Sequence, residues 1–376
     1  MNRASQLAAF ADRDPANPIL LCDLLDELLS AGFVDEATAR IANASAVLRE
    51  LPPVRFREAR CALLRGDAQV AIELLKSLLT NMKDVPPGVV HDLAYAQFAQ
   101  GRTDEAMQTL AQAHEHGEEA VALLLLKARI LHRQNQYDAA LEVLAPIQVD
   151  ARLSEVQGVR ALLLLDMGDT ARASAEAEKA LKADPDQHEA GIVRGTVALW
   201  SQQLQESTAA FERVLANHPE SGRAWLGLGQ DLMLRGDVAA ARALLARASV
   251  QMPDHIGTWH ALAWCQLLEG DLAGAKHSFD KAFALDRTFG ETHGGFALVY
   301  ALRGERKEAE ESIKRATRLD PQGRSARYAQ SVLLLDEGRA DDARKIINDI
   351  LARTPGVGAV SADFIFKLRE IVRPRG

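Results

Sequence analysis

The chain has 376 residues, 48% of them hydrophobic and 26% charged, with a formal net charge of −8. That balance is ordinary for a folded protein, and an acidic chain is a poor general partner for phosphate backbones, which need clustered Lys and Arg. No run of about 18 apolar residues occurs, so no membrane-crossing helix is expected, and three widely spaced cysteines, Cys22, Cys61 and Cys265, argue against a disulfide framework and for a reducing, cytoplasmic setting.

The chain opens on a short helix over residues 3–11, with Leu7 and Phe10 on one side, broken by Asp14-Pro15. Its apolar core is too short for a secretory signal, and residues 1–17 read as an N-terminal cap. From residue 18 one pattern takes over. Gly32-Phe33-Val34-Asp35-Glu36-Ala37 is echoed from Gly66, Gly101, Gly168, Gly236, Gly270, Gly304 and Gly338, and segments from Asn135 and Gln202 fill the two gaps. Successive turns lie 33 to 35 residues apart. So regular a period marks one small unit copied along the chain, each copy packing on its neighbours.

Each copy carries a helix of roughly thirteen residues before the turn and another after it. Glycine in the turn supplies the positive φ that ends the first helix. Asn135 can do the same, whereas Gln202 predicts a strained or differently shaped turn. Five residues past the turn stands Ala, or Ser207 in one copy, so that the two helices approach closely. Nine past it stand Ile41, Leu75, Leu110, Leu144, Ala177, Phe211, Leu245, Phe279, Ile313 and Ile347, mostly large and apolar. Pro185, Pro219, Pro253, Pro321 and Pro355 stop second helices. Trp225 and Trp259, eleven before their turns, are expected to plug the gap between copies.

These positions define ten repeats over residues 18–355, numbered 1 to 10 by their turns at Gly32 through Gly338. Beyond them Phe364, Leu368, Ile371 and Val372 fall at helical spacing, so residues 356–376 are expected to form a C-terminal capping helix and basic tail, with Arg369, Arg373 and Arg375 facing water.

The pattern resembles the tetratricopeptide repeat family. The best copy runs Ala224-Trp225-Leu226-Gly227-Leu228-Gly229 through Gly236, Ala241, Leu245, Ala248 and Pro253, matching the family's W-x2-L-G, A, F/L, A and P positions. Repeats 2 to 4 depart most: they lack the Trp and the terminal Pro, and Glu58 and Lys127 stand where Leu is usual. The resemblance implies an all-α fold, a right-handed superhelical solenoid of antiparallel helix pairs, with first helices lining a concave groove.

Little in the chain suggests chemistry. Gly227-Leu228-Gly229 echoes part of a dinucleotide fingerprint but lies inside a helix with no preceding strand. Gly270 to Lys276 is one residue short of a phosphate loop, with His277 where Ser or Thr is needed. His114-Glu115-His116 lacks a third metal ligand nearby in sequence. His260 and Cys265 are five apart on one helix, poor spacing for a facing pair, so Cys265 reads as a buried structural thiol. No enzyme, cofactor or metal is expected.

Under the resemblance, residues ten, six and three before each turn point into the groove. In repeats 2 to 4 these are Phe56, Arg60, Leu63; His91, Tyr95, Phe98; and Leu125, Arg129, His132. In repeats 7 to 9 they are Leu226, Gln230, Met233; His260, Trp264, Leu267; and Gly294, Leu298, Ala301. The first set mixes aromatic and cationic groups, and the second is largely apolar. Such surfaces mark interaction sites, although a tightly wound array turns the leucines into core. The first set is expected to prefer acidic groups through Arg60 and Arg129, and the second an apolar stripe. The Lys/Asn clamp that some family members use for C-terminal carboxylates is missing at Cys22/Asp26, Phe56/Arg60 and His91/Tyr95.

The leading reading is a non-catalytic scaffold or adaptor that binds a protein segment. Arg outnumbers Lys about three to one beside abundant Ala and Leu, which points to a GC-rich bacterial genome and to assembly, secretion or regulation there. A self-associating structural subunit and an RNA-binding helical repeat are the alternatives.

Overall fold

The computed structural model describes residues 3–82, 84–112, 118–147 and 152–352. Among these, every regular element is helical, and there are 22 helices. The chain divides into two compact units, Met1–Leu163 and Leu164–Gly376. The expected 356–376 cap and the His114-Glu115-His116 segment lie outside the described residues.

The N-terminal unit begins with α1 (Arg3–Arg13), whose Leu7 packs against the first core cluster. Helix pairs follow: α2 (Pro18–Ser30) with α3 (Val34–Asn43), the one-turn α4 (Ala46–Arg49), α5 (Pro52–Leu64) with α6 (Ala68–Asn81), α7 (Pro87–Ala99) with α8 (Thr103–Leu110), and α9 (Glu118–Arg133) with α10 (Tyr137–Leu144). The boundary between units falls within α11 (Leu153–Asp166), which pairs with α12 (Thr170–Ala183). The C-terminal unit continues with α13 (His188–Trp200) and α14 (Leu204–Asn217), α15 (Gly222–Arg235) and α16 (Val238–Gln251), and α17 (Ile256–Leu268) and α18 (Leu272–Leu285). It closes with α19 (Gly290–Arg303) and α20 (Arg306–Leu319), then α21 (Arg324–Asp336) and α22 (Ala340–Ala352). The second helices α8 and α10 have eight residues each, shorter than the repeat predicts.

The turn shows why the pairs form. Gly236 has φ +85°, its N–H donates to the Met233 carbonyl, and the Asp237 N–H donates to that of Leu232. This two-bond closure uses carbonyls that the end of a helix leaves unpaired. The Asp237 side chain then accepts from the Ala240 N–H and caps the second helix, so the Gly-Asp pair ends one helix and starts the next. Asn135 and Gln202 take φ +59° and +60° and make the same two bonds. The Gln202 turn therefore keeps the common shape, and the expectation of a different one does not hold; the backbone closure outweighs the cost of a left-handed non-glycine residue.

The core is a knob-and-hole series. Phe211 of α14 is fully buried, and a Cβ added at Gly195 or Gly227 would come within 2.7 or 2.1 Å of its ring. Phe279 of α18 sits the same way against Gly295. Trp225 and Trp259 do more than the expected plug. Each is half-buried, and its indole N–H donates to the carbonyl of the proline six residues earlier, Pro219 or Pro253, at 2.8 Å. They clip the loop between repeats as well as packing, Trp259 against the cluster around Leu245 and Ala261, and Arg247 stacks 4.2 Å from the Trp225 ring centre.

Within each unit the helices form two layers. First helices touch the next first helix, as α5–α7, α7–α9, α13–α15, α15–α17 and α19–α21 do, and among the described residues no comparable contact joins consecutive second helices. The layer whose members touch is the more closely spaced, hence the inner one.

Candidate functional site

In the N-terminal unit the inner layer carries an aromatic and cationic strip. Phe56 on α5 is half-buried against the core cluster of Ile72, Leu75 and Leu93. The Arg60 guanidinium lies 5.9 Å from its ring centre and reaches Asp92 of α7, Nε to Oδ2 3.6 Å. The same carboxylate meets His91 Nδ1 at 2.9 Å. The His91 and Tyr95 rings are nearly parallel with centres 6.5 Å apart, and Tyr95 is 49% exposed. One turn on, Phe98 is half-buried under the Arg133 guanidinium at 5.6 Å. On α9, Arg129 and His132 are half-buried, with the His132 ring 5.7 Å from Tyr137, while Leu125 is core.

Sequence reasoning missed Asp92. It stands one position beyond His91 and joins Arg60 to His91, so the Arg60 charge is shared with a carboxylate and is not a bare cation awaiting an acidic partner. Arg57 on α5 is likewise bound to Asp26 of α2, Nε to Oδ1 3.0 Å.

In the C-terminal unit the inner wall is largely filled by the protein itself. Leu267, Leu298 and Ala301 are fully buried, Gly294 is buried, and a Cβ added at Gly294 would come within 2.6 Å of the Ala326 backbone of α21. His260 is held by Thr292, Nε2 to Oγ1 2.8 Å, between the edges of Phe279 and Phe289. Burial lowers its pKa from the usual 6.5 to about 4, so it is neutral at pH 7 and offers no cation. Trp264 packs edge-to-face on Tyr328 of α21, ring centres 5.7 Å apart, two repeats away. Leu226 and Met233 lean on the cluster around Leu245, and Gln230 is half-buried. Part of the expected apolar stripe, Leu267, Gly294, Leu298 and Ala301, is thus taken up in packing, while Leu226, Gln230, Met233, His260 and Trp264 stay half-buried; spacing along the chain does not show that Trp264 reaches a first helix two repeats away.

The potential reactive groups are quiet. Cys22, Cys61 and Cys265 are buried free thiols, and burial is the largest cause raising the pKa of each, to about 11 for Cys265. A cleft of about 630 Å³ opens between α12, α13 and α14, lined by Leu181, Gly191, Arg194, Glu206, Ala210 and Val214 among others. Its Arg194 and Glu206 pair with each other at 3.0 Å, as do Arg213 and Asp186 at 2.8 Å, and its described lining holds no Ser, Cys or His. Among the described residues no three His, Cys, Asp or Glu converge to hold a metal, and no helix is long and apolar enough to cross a membrane.

Fold and surface define a helix-hairpin repeat protein of the kind that serves protein–protein interaction. A tetratricopeptide repeat profile matches residues 62–117, 97–163 and 198–265, and a second profile of the same description matches 159–206 and 295–357, together more than half the sequence. The chain belongs to the tetratricopeptide repeat family. No curated protein matches it. Among solved structures it is similar to the APC/C hetero-tetramer Cut9–Hcn1, at 14% identity over 93% of this chain and 81% of that one, TM-score 0.44. It is also similar to YrrB, described as a TPR protein with an unusual peptide-binding site, at 23% identity over 52% of this chain and 97% of that one, TM-score 0.38. A third likeness is MamA, at 21% identity over 42% of this chain and 93% of that one, TM-score 0.36.

Proposed function

We propose that the protein is a non-catalytic adaptor whose N-terminal unit receives a segment of another protein along the inner strip of Phe56, Arg60, His91, Tyr95, Phe98, Arg129 and His132, in bacterial assembly, secretion or regulation. The observation that carries this reading is the half-exposed Tyr95 ring, stacked beside His91 and next to the Arg60–Asp92 pair. An aromatic face flanked by charges of both signs suits a segment with apolar and polar residues side by side. Of the equivalent positions in repeats 7 to 9, Leu267, Leu298 and Ala301 are fully buried, while Gln230, Met233 and Trp264 are half-buried.

The test is to purify the partner by affinity capture, identify it by mass spectrometry, and titrate it against purified variants. Tyr95→Ala combined with Arg60→Ala is expected to weaken binding at least about tenfold, equivalent to ~1.4 kcal/mol. Trp264→Ala, in the filled wall, is expected to leave affinity unchanged while lowering stability. Wild-type affinity in the Tyr95→Ala/Arg60→Ala variant removes the strip from the function.

A further inference from the structure

Asp166 is the last residue of α11 and Arg223 the second of α15. They stand 57 positions apart, yet Arg223 Nη1 donates to Asp166 Oδ1 at 3.0 Å and Nη2 to Oδ2 at 2.6 Å. This is the parallel two-bond fork that guanidinium and carboxylate form best. It links first helices two repeats apart, passing α13. Such a link can form only on the inner side, because the second helices α12 and α14 occupy the outer one.

Ile192 and Leu199, ten and three before the Gln202 turn, are inner-wall positions of α13 and are only 2% and 5% exposed. Their counterparts on α7, His91 and Phe98, remain half-exposed. Trp200, next to Leu199, is 50% exposed. Ile192 and Leu199 thus lie covered on α13, with the half-buried Thr196 between them and the exposed Trp200 beside Leu199.

We propose that the Asp166–Arg223 pair is a strap across the inner face of repeats 5 to 7, holding Ile192 and Leu199 covered, and that its release opens this face. Another link across two repeats, Trp264 with Tyr328, is aromatic and carries no charge. The strap is ionic and partly wet, its side chains 20% and 31% exposed. A forked pair at contact distance and mostly out of water is screened little by salt, so what undoes it is a competing charge. Access to the α13 face is therefore governed by a competing charge at either end of the strap, while the Trp264–Tyr328 link is unaffected. This device does not depend on the N-terminal strip binding anything.

Hydroxyl-radical footprinting of the full chain, read by mass spectrometry, tests it. Asp166→Asn is expected to raise labelling at Ile192 and Leu199 several-fold, with Leu298 of the aromatic-linked wall unchanged. The exchange Asp166→Arg with Arg223→Asp restores the fork and returns labelling to wild type. Should Asp166→Asn fail to fold, Arg223→Lys keeps the charge but loses the fork and is expected to raise the same two signals. Unchanged labelling at Ile192 and Leu199 in the folded variants overturns the strap. So does an equal rise at Leu298, which reports general loosening.

Discussion

Gln202 holds φ +60° at a turn where eight other repeats place glycine. Its backbone hydrogen bonds are those of the glycine turns, so what remains is the steric cost of a side chain in left-handed conformation. Gln202→Gly is expected to stabilise the C-terminal unit by about 0.5–1 kcal/mol, the relief being partly offset by the freer unfolded chain, as urea denaturation will read. His260 sets a pH dependence. Its pKa is about 4 in the folded protein against 6.5 ordinarily, so between those values the unfolded chain binds the extra proton. The contribution is whole above pH 6.5 and is lost as pH falls toward 4, by up to about 3 kcal/mol. Denaturation midpoints at pH 7 and 4.5 are expected to differ less in His260→Leu than in wild type.

Among elements, the series nine past each turn pairs with the residue nine before the next. Phe211 faces Gly227 and Phe279 faces Gly295, and in the same register Leu245 goes with Ala261 and Ala177 with Val193, all buried. In the C-terminal unit large goes with small, and the one small knob goes with a larger neighbour, which keeps the layer evenly filled; the N-terminal unit departs from this, with Leu110 in register with Leu126 and Leu144 with Val159. Gly227→Ala sets a methyl into the Phe211 ring and is expected to cost about 1–3 kcal/mol. Adding Phe211→Leu is expected to recover most of that loss, read as a double-mutant cycle in thermal or urea unfolding. Much of this was legible in the sequence, because turn glycines, small residues and large residues recur at fixed offsets. The Trp225 and Trp259 clips were legible only in part. Each sits six residues after a proline, but that an indole N–H meets the proline carbonyl depends on the loop path. The inner wall was the least legible. Asp166 with Arg223 and Trp264 with Tyr328 are joined by curvature within the unit, and no local spacing encodes a meeting of residues so distant in the chain.

At the scale of the whole molecule, contacts between neighbouring repeats carry the stability, so a defect is felt near where it is made. Gly227→Ala is expected to lower the unfolding midpoint of the C-terminal unit while partner affinity at the Tyr95 strip stays at the wild-type value wherever both units are folded; a parallel loss of affinity would show the two to be coupled. The candidate strip was visible in sequence as a run of aromatic and basic residues, but its Asp92 partner was not, since the acid sits one place off the register that selects groove positions. The buried cysteines have a practical consequence. With Cys22, Cys61 and Cys265 all sequestered and their thiolates disfavoured, a thiol engineered at the solvent-exposed Gln202 turn becomes the one site that maleimide reagents attack quickly near neutrality. A fluorophore can then be seated on a chosen hairpin without first stripping the native sulfhydryls.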